Sequence, residues 1–480
     1  GIAPPPPPAP AQAAPDPQAA GGQPPQAGRG RGPGRDVTPP DPNRFRGVRI
    51  FDISNPARPK QIAAIQTCRG SHTHTLVTNP KDKSKIYIYG QGTSSVRSAD
   101  ELAGCSNEGM DDPNTALYSI DVIEVPIGSP EKAKVVNRPR IFSDPTSGAA
   151  AGLWQGGTHG AGTQTTSATT ACHDITAYPA VGLAAGACSG NGILLDITDP
   201  VHPVRLDDVI DPSFAYWHSA SFNNDGTKVI FTDEWGGGTA PRCRATDPMN
   251  FGADAIFNIV NKHLKFAGYY KMPAAQTEQE NCVAHNGSLV PVPGRDIKVQ
   301  AWYQGGASMF DFTDPFHPME IAFFDRGPLD ETRLIVGGYW STYWFNGYIY
   351  ASEIARGLDV LKLVPTEFLS QNEIDAANLI HFDELNVQSQ PKITWPASFV
   401  VARAYLDQLA RSKGLAQERI DALNAAMKAV EGAAAGTARR TAGDALTALA
   451  TQLDKDAATA KPLDAKRMRD CASVIKARLR

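Results

Sequence analysis

Four of the ten histidines in this 480-residue chain, His72, His173, His218 and His285, stand at equivalent points of a recurring pattern, each at the start of a short apolar strand. His74 lies two residues beyond His72, on the same face if the strand already runs there. Imidazoles brought together with few carboxylates suit a transition metal, copper, zinc or iron, rather than calcium or magnesium. Asp174, Glu234 and Asn286 are near these histidines in sequence and are placed to orient imidazoles or to act on a metal-bound water. The same position also suits a purely structural use, with each ring bonding the backbone of the next repeat. His202 and His317 fall in polar turns and read as solvated, while His159, His263 and His381 lie outside the pattern and read as structural.

Six of the seven cysteines keep step with the same repeats. Cys172 and Cys188 are each eight residues from Ala180, the middle of an expected hairpin, so they face each other across it. The expected pairs are Cys68–Cys105, Cys172–Cys188 and Cys243–Cys282, with Cys105–Cys172 as the rival, and such pairing points to an oxidising compartment. Cys471 is left over and reads as a half-buried helix residue. There is no Cys-x-x-Cys pair, Gly-x-Ser-x-Gly elbow, His-Glu-x-x-His motif or dinucleotide fingerprint. Gly236-Gly237-Gly238 reads as a flexible turn. Trp217, Trp235, Trp302, Trp340 and Trp344 sit near strand ends, where packing between sheets explains most of them.

The elements that must position these residues show as internal repeats. Phe51-Asp52-Ile53-Ser54-Asn55-Pro56-Ala57-Arg58-Pro59 recurs as Leu195–Pro203 and as Phe310–Pro318, with weaker copies at Tyr118–Val122, Ala255–Ile259 and Gly357–Leu361. Each copy is an alternating strand, an Asn-Pro or Asp-Pro turn and a departing strand. Two further strands precede it, over residues 72–89, 173–187, 218–232, 285–303 and 340–351. Tandem units of four strands predict an all-β propeller over residues 44–365, whose innermost strands line an axial channel. The histidines would then converge at one channel mouth.

The blade pattern, an initial His, an aromatic-rich second strand and the hydrophobic-Asp-Ile-Ser/Thr-Asp/Asn-Pro-x-x-Pro tail, resembles the LVIVD-repeat family of exported bacterial β-propeller proteins over about two thirds of the chain. That resemblance implies seven blades and says little about activity. The unit holding Phe51 lacks its two inner strands, so either blades lie upstream of Gly1 or the ring has six blades. The general plan is also similar to that of the copper-dependent methanethiol oxidases, an analogy of fold rather than of motif.

Of the 38 prolines, 14 fall in the first 42 residues, which predicts a disordered segment over 1–43, with a polyproline run at Pro4–Pro8 and Arg-Gly pairs at Arg29, Arg31 and Arg35. Residues 366–396 read as a linker. Over 397–480 the composition turns to Ala, Leu, Lys and Glu with Pro462 alone of its kind, and Ile420, Leu423, Met427 and Val430 recur at helical spacing. Helices are expected at 397–413, 416–432, 436–455 and 463–479, packed as a C-terminal α-helical bundle.

A net charge of −4 and 20% charged residues give no basic excess for nucleic acid, and no apolar run approaches the length of a transmembrane segment. The chain starts at Gly1 rather than Met, so a removed signal peptide is expected, and with it a secreted, periplasmic or cell-surface location. Two functions compete. One is a non-catalytic binding or surface-scaffold module for an unknown small molecule or surface protein, with a His-lined axial site for a transition metal. The other is a metalloenzyme, an oxidase or lyase, using the same histidines.

Overall fold

The computed structural model describes residues 39–480; Pro4–Pro8 and the Arg-Gly pairs lie outside the described residues. The Asp-Ile-Ser/Thr-Asp/Asn-Pro copies fold as paired turns closed by their own side chains. Asp196 Oδ1 accepts the Thr198 N–H at 3.0 Å and Asp199 Oδ1 that of Val201 at 2.9 Å. Asp311 and Asp314 do the same for Thr313 and Phe316, and Asp52 and Asn55 for Ser54 and Ala57. Such short side chains mimic a backbone turn, which is why the motif ends one strand and aims the next.

These turns join the third and fourth strands of successive antiparallel sheets. Among the described residues the first unit has only β1 (Gly47–Asp52) and β2 (Lys60–Gln66). The second is β3 (His74–Asn79), β4 (Asp82–Gly90), β5 (Asp121–Pro126) and β6 (Lys134–Asn137). A small ribbon, β7 (Gly157–Thr158) and β8 (Thr165–Thr166), precedes the third unit, β9 (Asp174–Tyr178), β10 (Leu183–Cys188), β11 (Asn191–Asp196) and β12 (Val204–Val209). The fourth is β13 (Trp217–Phe222), β14 (Lys228–Asp233), β15 (Asp254–Val260) and β16 (His263–Tyr270). The fifth, β17 (Asn286–Leu289), β18 (Ile297–Ala301), β19 (Ala307–Asp311) and β20 (Met319–Phe324), joins β21 (Tyr339–Phe345), β22 (Tyr348–Glu353) and β23 (Gly357–Leu361) through a parallel β17–β21 pairing. In five units the third strand meets the fourth with the same register irregularity, at Ile50/Phe51, Val122/Ile123, Leu194/Leu195, Ile256/Phe257 and Met309/Phe310.

The arrangement is propeller-like: first strands of successive units lie side by side, and buried Ile, Val, Phe and Trp side chains fill the space between sheet faces. Among the described residues the unit holding Phe51 has two strands, and none from residues 348–364 joins it. Within the described residues β1 pairs with β2 alone, and Val48 and Ile65 bury themselves against Ile88, Ile123 and Val125 of the neighbouring sheet.

Five helices follow among the described residues: α1 (Gln371–Ala377), α2 (Phe399–Arg411), α3 (Gln417–Gly432), α4 (Thr437–Asp456) and α5 (Pro462–Leu479). Leu406, Leu423, Met427, Leu446, Leu453, Met468 and Ile475 from the last four share one buried core, and Cys471 is fully buried in it rather than half-buried. Residues 366–396 are no plain linker. They contain α1, capped by Ser370 and Glu373, and a stretch that runs beside β9, where the Ala177 and Gln390 amides close a parallel bridge around Ser389.

Candidate metal centre

The starts of the inner strands repeat one hydrogen bond. His173 Nδ1 lies 3.0 Å from the carbonyl oxygen of His218, on the next unit, and His285 Nδ1 bonds the carbonyl oxygen of Trp340 on the unit after its own. A carbonyl only accepts, so each Nδ1 carries a proton, which leaves the Nε2 of a neutral ring with a lone pair. In His173 and His285 the two uses weighed for these histidines are thus joined: one nitrogen holds the neighbouring backbone, and the rings still come together; the buried His218 Nδ1 makes no such bond. Ring centroids are 4.0 Å apart for His173 and His218 and 4.2 Å for His218 and His285.

His72 and His74 depart from the expectation. In the second unit it is Thr73 whose hydroxyl bonds the His173 carbonyl, so Thr73 occupies the place of the other histidines. His72 precedes it in a bend before β3 begins, where strand alternation does not apply; its ring centroid still lies 4.7 Å from that of His173. His74 is the first residue of β3, is exposed and has its Nδ1 3.0 Å from Ser71 Oγ, away from the cluster.

Glu234 stands closer than a residue that merely orients imidazoles. It follows β14, and its Oε2 lies 3.6 Å from His218 Nε2 while its Oε1 lies 3.4 Å from His285 Nε2. The Tyr303 hydroxyl donates to Oε1. Tyr303 is pressed over Gly238, whose φ of +64° suits glycine and whose Cβ, if present, would fall within the Tyr303 ring, so Gly236-Gly237-Gly238 is a shaped left-handed turn rather than a loose one. Ligand atoms of His173, His218 and Glu234 all lie within 4.8 Å of one another. Donors about 2.0–2.2 Å from a tetrahedral zinc stand about 3.3–3.6 Å from one another, so the widest gap in the set has to close by at most about 1.5 Å.

Burial pulls the His173 imidazole down to about 4 against the attraction of Glu234, and burial takes His218 well below its ordinary range. Burial raises the Glu234 carboxyl, but His285 close by and the Tyr303 hydroxyl outweigh it, leaving the group below its usual value and ionised at neutral pH. Two neutral imidazoles and a carboxylate therefore face one another, and each of the three has a lone pair to offer a cation.

The cluster lies in the wall of a cavity of about 480 Å³ that also takes in His72, Thr73, Asp174, Asn286, Trp340 and Gln388. Burial raises Asp174 to about 7, and its carboxylate accepts a 2.8 Å hydrogen bond from Gln388 Nε2. Asn286 lines the cavity beside it. Sequence reasoning missed Tyr303, Thr73 and Gln388. The repeat alignment contained a signal for Thr73; Gln388 sits in the segment read as linker and had none. Trp340, half-exposed, joins the cavity, whereas Trp217, Trp302 and Trp344 are fully buried in packing and Trp235 nearly so.

His202 and His317 are exposed turn residues, each bonded to the Asp three positions before it, Asp199 and Asp314. His159 is buried, stacked on Trp154 with its Nε2 2.8 Å from Thr166 Oγ1. His263 and His381 are exposed beside Asp207 and Asp383. Disulfides join Cys68 to Cys105, Cys172 to Cys188 and Cys243 to Cys282, and these suggest an extracytoplasmic protein. No helix among the described residues is long and apolar enough to cross a membrane.

No family profile matches the chain, and no curated protein matches it. Among solved structures it is similar to the periplasmic gluconolactonase PpgL of Pseudomonas aeruginosa, at 11% identity over 69% of this chain and 74% of that one, with a TM-score of 0.39. A protein from Lactobacillus plantarum is similar at 10% identity over 67% and 79% of the two chains, TM-score 0.39. A hypothetical selenium-binding protein from Sulfolobus tokodaii is similar at 11% identity over 64% and 65%, TM-score 0.37.

Proposed function

We propose that this is an extracytoplasmic β-propeller binding protein that holds a transition metal, zinc, copper or iron, through His173, His218 and Glu234 at one mouth of its channel. The blades span 44–365 in the manner of the LVIVD repeats, a reading supported by the three Asp-Ile/Phe-Ser/Thr-Asp/Asn-Pro turns and their shared register shift. Residues 397–480 form a helical bundle joined by 366–396, and the three disulfides support a secreted or periplasmic location. The observation that carries the metal is the convergence of the donors: ligand atoms of His173, His218 and Glu234 lie within 4.8 Å of one another, with His173 Nδ1 committed to a carbonyl and Glu234 Oε2 3.6 Å from His218 Nε2. His285, beside His218, supports Glu234 through the other carboxylate oxygen, and Asp174 and Asn286 face the ligand space.

Metal analysis of protein purified without chelators, followed by cobalt titration of stripped protein, tests this. One metal per chain is expected, lost in a His173→Ala, His218→Ala double variant that keeps the β fold. A wild-type chain that takes up no metal refutes the reading. One observation favours a catalytic role for the same site: three protein ligands beside a 480 Å³ cavity leave positions for water and substrate. Turnover by the metal-loaded protein, lost in Glu234→Gln, would separate an oxidase or lyase from a binding module for a small molecule or surface protein.

A further inference from the structure

The Cys172–Cys188 disulfide belongs to the same construction as the two imidazoles, although neither sulfur lines the cavity. Cys172 immediately precedes His173, and the His173 amide donates to the Ala187 carbonyl, next to Cys188. On the other side Cys188 precedes Ser189, which exchanges two backbone hydrogen bonds with Trp217, at 2.8 and 3.1 Å, and Trp217 immediately precedes His218. His173 Nδ1 then closes the circuit on the His218 carbonyl. One ring of bonds therefore runs from His173 through the disulfide to His218 and back, and the S–S bond is its one covalent cross-link. Both cysteines are fully buried, and a Cβ on Gly186 would sit 2.9 and 3.0 Å from their sulfurs, so the β10 backbone is packed directly on the bridge.

We infer that the Cys172–Cys188 bond positions His173 relative to His218, so that the metal site reaches full affinity only in oxidised protein and loads best after the chain reaches an oxidising compartment. The inference rests on the metal reading above. Without the bridge, the start of β9 bearing His173 is held to the end of β10 by strand pairing alone, and with that link of the circuit loosened, two ligands that must meet one ion within a few tenths of an ångström lose their fixed spacing. By linkage, a metal that binds the oxidised form more tightly protects the bond against reduction to the same degree.

The test compares wild type, Cys172→Ala with Cys188→Ala, and Cys68→Ala with Cys105→Ala by cobalt titration, reading the visible absorption of the bound ion. The Cys172/Cys188 variant is expected to bind on the order of 10–100-fold more weakly, the loss usual for groups that orient metal ligands, with altered absorption. The Cys68/Cys105 variant should bind as wild type does. Equal affinity of all three overturns the inference, whereas a wild type that binds no cobalt refutes the metal reading and this inference with it. If the Cys172/Cys188 variant does not fold, wild type decides. A water-soluble phosphine donates two electrons to the S–S bond and takes oxygen from water, whose protons go to the two thiols; alkylation then maps the opened pairs. Bound cobalt should slow opening at Cys172–Cys188 and not at Cys68–Cys105, and equal rates at both with and without cobalt overturn the inference.

Discussion

Tyr303→Phe removes one oxygen and no carbon from a side chain that is 1% exposed, so packing over Gly238 is kept while Glu234 loses its hydroxyl donor. The Glu234 carboxyl, held below its usual range, is ionised at pH 7. A hydrogen bond to a buried charged group contributes about 1.5–3 kcal/mol, and that is the loss of stability expected in metal-free protein. The same O–H aims the carboxylate at the space shared with His173 and His218. Losing an orienting partner of a metal ligand weakens binding on the order of 10–100-fold, equivalent to about 1.4–2.7 kcal/mol. Guanidinium unfolding monitored with and without saturating cobalt should show a lower midpoint at unchanged slope, and cobalt titration should show the weaker binding directly. A Tyr303→Phe protein that binds cobalt like wild type would show that Glu234 is not held for a metal, however much stability it had lost.

Gly238→Ala attacks the same contact from behind: a left-handed alanine costs about 1–2 kcal/mol and forcing its methyl into Tyr303 about 1–3 kcal/mol more, read as a fall in thermal midpoint together with cobalt affinity. His285→Ala should weaken metal binding less than His173→Ala, because His285 faces Glu234 from outside the three-residue set; cobalt titration of the two variants ranks them. Burial raises the Glu373 carboxyl, but Arg411 and Arg295 outweigh it and hold it below its ordinary range, so its stabilisation is complete above the unfolded value near 4.5 and is lost as pH falls through the lower folded one. Denaturation curves from pH 7 to 3 should therefore show wild type losing its advantage over Glu373→Gln in acid, and an advantage independent of pH would contradict that. Non-reducing peptide mapping of protein isolated without reductant should recover all three disulfides, and free alkylation of the six thiols would refute both the pairs and the exported location.

The strands were legible because the Asp-Pro turns are written locally: an aspartate that caps the amide two residues on produces the same bend wherever it occurs, and three copies set the period of the rest. Helical spacing made the stripe of Ile420, Leu423, Met427 and Val430 legible for the same reason, and all four are buried. The site was legible only in part. A register argument works inside a strand, and His72 lies in the bend before β3, so alignment by residue type placed it where Thr73 stands; one position of slip exchanged an imidazole for a hydroxyl. Glu234 was visible as a neighbour, but its rank as a direct donor depends on Tyr303, 69 residues away, and on a glycine turn that lets the two meet. Gln388 reaches Asp174 across 214 residues from a segment with no repeat to mark it. Repetition makes equivalent residues readable because every copy reports on the others, whereas a metal site needs its surroundings to differ from one unit to the next. The residues that break the symmetry, a carboxylate in one unit, a threonine in another and an amide from outside the repeats, are therefore those that repeat analysis is least able to see.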